Sequence, residues 1–319
     1  IFAKMLAATH LRAAAPLRTP RHSRVVAVRT AQVGKSLSGR VEGDKYYLSD
    51  AQKEAFVRDG FVHISGVMTE EEMAREVDPV YFKFLRGEVK VPGRDLCDTS
   101  PAAASKDEKD PEKFVMYNVM LAREYYPQWK NNLLERRCRH ISEQLLSCDD
   151  IEVDFDHIEA KRPRTRDSVV SWHQDAAYWP EELEDEHCLG TANCFVAVSD
   201  VPVEAGCMRY VPGSHKEGLR KHKPASSNPN PNAPVTLKTA VGGERAELVP
   251  LKRGDVVVHT ERVVHGSGPN MTDGWRYGYV LNFKRELCVV DERSLGFTNP
   301  YTGNVKGSSS AFYANGDSK

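Results

Sequence analysis

The spacing of apolar residues changes character near residue 150. Before that point they recur at helical intervals. After Pro127, the positions Trp129, Leu133, Leu134, Cys138, Ile141 and Leu145 fall three or four apart and predict an amphipathic helix to about residue 147. Ser49 with Gln52 and Thr69 with Glu72 fit the capping-box pattern, which predicts short helices over 50–59 and 70–86. The stretch between them, GFVHISGVM, reads as extended chain, and the polar residues 94–113 read as a loop. From 151 onward the pattern becomes short alternating runs split by Gly and Pro. IEVDFDHIEAK, TANCFVAVSDV, CMRYVPGS, AELVPLKRGDVVVH and WRYGYVLNFKREL all read as strands. A helical front half followed by many short strands predicts a mainly β fold with flanking helices, a sandwich or barrel. Residues 220–246 are rich in Lys, Pro, Asn and Ser and predict a long loop, a length at which loops often serve as lids. Residues 301–319 read as a flexible tail.

Composition narrows the partners. The chain has 319 residues, 28% of them charged, with a formal net charge of −1, which gives no basis for nucleic acid or an anionic membrane surface as partner. No apolar run approaches the roughly 20 residues of a membrane span. Seven cysteines without a CxxC pair indicate neither a disulfide framework nor a cysteine zinc site. The N-terminus stands apart. No acidic residue precedes Glu42, while Arg12, Arg18, Arg21, Arg24 and Arg29 lie among Ala, Ser and Thr. Residues 1–44 are therefore expected to be disordered, with the character of a plastid or mitochondrial transit peptide; without such an address a soluble cytoplasmic protein is expected.

Candidate chemistry starts at SWHQDAAYWP, residues 171–180. An aspartate among aromatics is costly unless it is paired or binds a metal. In extended chain His173 and Asp175 face the same way. A further histidine from GDVVVHTERVVHGSGPN, residues 254–270, would complete two imidazoles and a carboxylate, a set that suits non-haem Fe(II) with open coordination positions. His259 lies in the alternating VVVH run, and His265 at a Gly-flanked turn. Further on, Arg276, Gly278 and Val280 share one strand face, while Trp275, Tyr277, Tyr279, Leu281 and Phe283 share the other. The aromatic face should pack against helices, and the arginine should point inward, where its fork could clamp a carboxylate.

In HQD at 173–175, GCMRYVPGSHK at 206–216, the 254–270 stretch and Arg276, the chain resembles the phytanoyl-CoA dioxygenase family of Fe(II)/2-oxoglutarate oxygenases. The resemblance covers about residues 45–290 and is strongest from 171 to 283. It implies a double-stranded β-helix, a jelly-roll, cupin-like barrel, within one domain over 45–300. It implies Fe(II) held by the catalytic residues His173, Asp175 and His265. It implies 2-oxoglutarate and O2 as co-substrates, with Arg276 on the distal carboxylate of 2-oxoglutarate and Gln174 close by. Lys161 matches a lysine common in the family. Phe195 stands where the family often has Trp, keeping an aromatic wall but losing an N–H donor. The activity implied is hydroxylation of an aliphatic C–H in a small-molecule or acyl substrate. Two other readings use the same residues: a zinc-dependent hydrolase with an activated water, and a non-catalytic cupin-like binding protein. Arg276 and the full motif set argue against both. The basic runs KRPRTR and LRKHK could hold a CoA thioester, although such runs are more often solvated loop faces.

Overall fold

A computed structural model of the chain describes residues 28–30, 38–93, 95–103, 108–179, 190–226 and 236–297. Most of the expected transit segment, the centre of the 220–246 loop and the expected 301–319 tail lie outside the described residues. Strand β1 (Val28–Thr30) and the hairpin β2 (Arg40–Glu42) to β3 (Lys45–Tyr47) come first. Among the described residues, β1 and β2 fall within the 1–44 stretch expected to be disordered.

Helix α1 (Asp50–Asp59) has both bonds of the Ser49–Gln52 capping box, and Gly60 in left-handed conformation ends it. After β4 (Phe61–Ile64), the Thr69–Glu72 box starts α2 (Glu70–Glu76). The single helix expected over 70–86 breaks at Val77. Pro79 has no N–H to continue the ladder, so α3 (Asp78–Leu85) begins anew. Strand β5 (Leu96–Asp98) lies inside the expected loop, and β6 (Met116–Met120) follows it. Next come α4 (Ala122–Tyr125) and α5 (Leu133–Leu146), the latter capped by the Asn132 side chain.

The strand-rich half carries β7 (Ile151–Lys161), β8 (Val170–His173), β9 (Thr191–Ala197), β10 (Met208–Tyr210), β11 (Lys223–Pro224), β12 (Leu237–Lys238), β13 (Ala246–Val249), β14 (Val256–His259), β15 (His265–Ser267) and β16 (Arg276–Arg285). The chain then turns directly into α6 (Glu286–Ser294), over residues whose beginning read as strand.

Two sheets face each other in a jelly roll. The larger has the order β4-β14-β9-β16-β7-β6-β5, and the smaller β1-β13-β10-β15-β8. All pairings within them are antiparallel except β1 with β13. The outward face of the larger sheet packs against the helices, as the aromatic face of β16 predicts. Tyr279, Leu281 and Phe283 share one core with Trp129, Leu134, Cys138 and Ile141, and Trp129 stacks on Tyr279 at 4.6 Å between ring centroids. Each such fully buried side chain is worth about 1.5–3 kcal/mol. A second core, with Phe61, Phe195, Tyr210, Val257 and Val263, draws on both sheets.

Candidate active site

Strand β15 runs antiparallel to β8 and sets His265 directly opposite His173. Their rings lie 4.3 Å apart between centroids. Asp175 is not in extended chain; it opens a 3-10 turn, Asp175–Tyr178, immediately after β8. The turn still brings its carboxylate back to the histidines. Asp175 Oδ1 lies 3.2 Å from His173 Nε2 and 3.5 Å from His265 Nε2. The three candidate ligand atoms all fall within 4.8 Å of one another, close enough to hold a metal ion.

The outer ring nitrogens fix the tautomers. His173 Nδ1 is 2.8 Å from the Ser171 carbonyl, and His265 Nδ1 is 3.0 Å from the Val263 carbonyl. A carbonyl only accepts, so Nδ1 carries a proton in each ring, and Nε2, the nitrogen left for a metal, faces Asp175. This is the arrangement a metal-binding histidine needs. Burial would lower the His173 pKa, but its hydrogen bond and attraction to Asp175 outweigh burial and raise it. Burial alone would raise the pKa of Asp175, but His265, His173 and His259 outweigh it and hold the carboxyl well below its ordinary range. Burial pushes the His265 imidazole well down, against the pull of Asp175.

A second charged group lies on the other, larger sheet. Arg276 is 1% exposed, and its pairing partner across β16 and β7 is Lys161. Arg276 Nη2 lies 2.7 Å from Glu159 Oε1, yet Nε, Nη1 and Nη2 make no aligned hydrogen bond. The contact is an off-axis ion pair that leaves the guanidinium under-bonded. A buried fork with spare donors fits an incoming carboxylate. Phe195 covers it, with the guanidinium carbon 5.2 Å from the ring centroid. Gly278 makes the room: a Cβ there would meet the Phe195 ring at 2.6 Å and Arg276 Nη1 at 3.0 Å. Lys161 is already committed, donating to Ser267 Oγ at 2.5 Å and to the Gly268 carbonyl at 2.8 Å. Burial first, then Arg276, pushes its pKa well down.

A cavity of about 220 Å³ opens over His173, Asp175 and His265. Phe155, Tyr178, Trp179 and Phe297 give it an aromatic wall, and Asn118, His157, Asn193 and Asn282 add polar groups. Thr236 and Leu237, from the expected 220–246 lid loop, also border it.

Gln174 does not join this group. Its side chain donates to the Gly218 and Arg262 carbonyls at 2.8 and 2.6 Å and accepts from Arg220 N at 2.8 Å, so it ties loops together. His259 is outside the metal-holding group, although its Nε2 lies 3.2 Å from the far oxygen of Asp175. Glu159, Asn193 and Asn282 also border the cavity and are not among the site residues expected from the sequence. For Asn193 and Asn282 a signal existed, an amide within an otherwise apolar strand.

A jelly-roll barrel with two imidazoles and a carboxylate converging on its inner face defines a cupin-like metal-binding protein. The sequence profile of the phytanoyl-CoA dioxygenase family matches residues 56–278, and the chain belongs to that family. It is 30% identical over 119 residues to a phytanoyl-CoA dioxygenase domain-containing protein 1 homolog of Dictyostelium discoideum, covering 36% of this chain and 40% of that protein. It is 31% identical over 103 residues to a probable alpha-ketoglutarate-dependent hypophosphite dioxygenase of Stutzerimonas stutzeri, covering 32% and 34%. The matched segments thus span well under half of these curated relatives. In fold the chain is similar to EvdO2 from Micromonospora carbonacea var. aurantiaca, solved with 2-oxoglutarate, at a TM-score of 0.57 and 24% identity over 75% of this chain and 91% of that one. It is also similar to the carbocyclase SnoK of nogalamycin biosynthesis, with a TM-score of 0.52 and 24% identity over 74% and 84%.

Proposed function

We propose that this protein is an Fe(II)- and 2-oxoglutarate-dependent dioxygenase that hydroxylates an aliphatic C–H bond of a small-molecule substrate. In this reading His173, Asp175 and His265 hold the iron, and Arg276 receives the distal carboxylate of 2-oxoglutarate. The observation that carries it is the pairing of two features in one barrel: a convergent two-histidine, one-carboxylate group and a buried arginine with unused donors. Bound iron supplies O2 activation coupled to oxidative decarboxylation of 2-oxoglutarate to succinate and CO2. The chain's own part is to hold the carboxylates, fix the imidazole tautomers and keep water out with the aromatic wall.

A CoA thioester finds less support. Arg220 pairs with Glu217 and Glu244, and Arg162 bonds to backbone carbonyls, so these cations of the two basic runs are used within the fold. The zinc-hydrolase reading gives Arg276 no task.

The test is a titration of 2-oxoglutarate into the anaerobic Fe(II)-loaded protein, followed by the metal-to-ligand charge-transfer absorption. Losing one partner of a buried charge pair costs on the order of 2–5 kcal/mol, and about 1.4 kcal/mol is tenfold. Arg276→Ala should therefore bind 2-oxoglutarate roughly 30-fold or more weakly while keeping its iron. Asp175→Ala should lose iron affinity and succinate formation. No absorption band in the unaltered protein would sink the co-substrate, and equal affinities would sink the role of Arg276. Product masses from a metabolite panel then decide hydroxylation.

A further inference from the structure

One row of polar side chains crosses three strands of the larger sheet. Pairing of β14 with β9 sets His259 opposite Asn193, and pairing of β9 with β16 sets Asn193 opposite Asn282. Residues paired in this way share a sheet face, and all three border the cavity. Each is only 4% exposed. Amides and imidazoles buried side by side are costly unless they are bonded. Here the bonds converge on Asp175. Asn193 Nδ2 donates to Asp175 Oδ2 at 2.5 Å, and His259 Nε2 lies 3.2 Å from the same oxygen.

The chemistry sets every direction in this row. A carboxylate only accepts, so Asn193 must turn its amide nitrogen toward Asp175. Its carbonyl oxygen then accepts from Asn282 Nδ2. His259 must carry its proton on Nε2, which leaves Nδ1 to accept from the Tyr210 hydroxyl at 3.2 Å. Tyr210 is fully buried and stacked on Phe61, so its hydroxyl is held in place. Asp175 therefore presents two different oxygens. Oδ2 is occupied by two protein donors, while Oδ1 faces His173 Nε2 and His265 Nε2.

We propose that His259 and Asn193, backed by Tyr210 and Asn282, are positioning residues that confine Asp175 to binding metal through one oxygen. The proposal rests on the iron site argued above. A carboxylate that swung to bind through both oxygens would take a further coordination position. The two-histidine, one-carboxylate set serves oxygen chemistry because it leaves positions open. With iron bound, those open positions would be needed by 2-oxoglutarate and O2. The row therefore keeps the O2 position free, by giving Oδ2 enough donors that it has nothing to gain from the metal.

The test loads the full chain with Fe(II) anaerobically, adds 2-oxoglutarate, and titrates nitric oxide as an O2 surrogate, reading the electron paramagnetic resonance of the Fe–nitrosyl. The variants are Asn193→Leu with His259→Phe together, and His259→Gln, which keeps an N–H donor. Partners of this kind typically change metal affinity by about 10–100-fold. The double variant should bind Fe(II) weaker by about that factor. At saturating Fe(II) and 2-oxoglutarate it should give several-fold less nitrosyl signal than the unaltered protein. His259→Gln should recover most of both. Should the double variant not fold, Asn282→Leu removes the support of Asn193 without touching Asp175 and should move both readouts in the same direction. Unaltered Fe(II) affinity and nitrosyl yield in the folded variants would overturn the proposal. Failure of the unaltered protein to bind Fe(II) at all would overturn the iron site itself, a distinguishable failure.

Discussion

Glu159 sits where two buried cations meet. Burial would raise its pKa, but Arg276, Lys161 and His157 outweigh burial and draw it below the ordinary value, so it is ionised at neutral pH. It also borders the cavity. On the proposed function this creates a competition, because an incoming carboxylate must share or displace Glu159 at Arg276. Glu159→Gln keeps the shape and removes the charge. The expected outcome is 2-oxoglutarate binding tighter by roughly three- to tenfold, a gain of about 0.7–1.4 kcal/mol, in the same anaerobic titration. Weaker binding would show that Glu159 aims the guanidinium and does not compete. The sequence offers little help with this residue. Glu152, Asp154, Asp156 and Glu159 all lie on β7, and nothing in their spacing says which acid meets a cation. The sequence points to His173, Asp175 and Arg276 because an imidazole, a carboxylate and a guanidinium stand among residues that otherwise read as buried. Gln174 illustrates the limit of reading by neighbourhood. It lies between two inward residues, and its amide serves the loops at Gly218 and Arg262.

At the scale of elements, β16 joins the helical layer to the site. Its outward residues Tyr279, Leu281 and Phe283 are fully buried under the helices, and its inward row holds Arg276, Gly278 and Asn282. That alternation was readable from sequence, as were the capping boxes of α1 and α2. Strand β6 was not, because all five of its residues are buried and no period of two remains to be seen. The α2–α3 break depended on weighing one proline against an otherwise helical run. Gly278 tests how closely the inward row is fitted. Gly278→Ala puts a methyl group against Phe195 and Arg276. Overpacking of this kind typically costs about 1–3 kcal/mol. The expected variant keeps Fe(II) binding, because the His173–Asp175–His265 group lies on other elements, but binds 2-oxoglutarate several-fold more weakly. A second change, Phe195→Leu, should recover part of that loss by giving the methyl room. Full 2-oxoglutarate affinity in Gly278→Ala would mean that Arg276 tolerates displacement and does not need this fit.

For the molecule as a whole, the question is where the folding unit begins. Sequence composition places the boundary near residue 44, where acidic residues start. The structure gives physical grounds for counting the whole β2–β3 hairpin within the folding unit. Tyr46 is 1% exposed within the main core, and Leu48 is 8% exposed beside it. Arg137, buried in α5, grips Glu72 with both Nη atoms and also donates to the Gly43 carbonyl from Nε at 3.1 Å and Nη2 at 2.7 Å. The β2–β3 hairpin is thus bound to the helical layer. Strand β1, in contrast, adds only a short parallel edge to β13. A chain starting at Ser38 should therefore keep its thermal midpoint within about 2–4 °C, the shift expected from roughly 1 kcal/mol in a domain of this size. It should also keep its iron and 2-oxoglutarate binding. A chain starting at Asp50 loses two buried side chains at about 1.5–3 kcal/mol each, and a buried charged hydrogen bond worth about 1.5–3 kcal/mol. Its midpoint should fall by about 10 °C or more. Thermal unfolding of the two truncated chains, followed by circular dichroism, decides the matter. A Ser38 chain that melted as early as the Asp50 chain would place part of the folding unit before residue 38, and would count against reading that stretch as a removable address. An Asp50 chain as stable as the full one would show that the grip of Arg137 on Gly43 adds nothing to the fold.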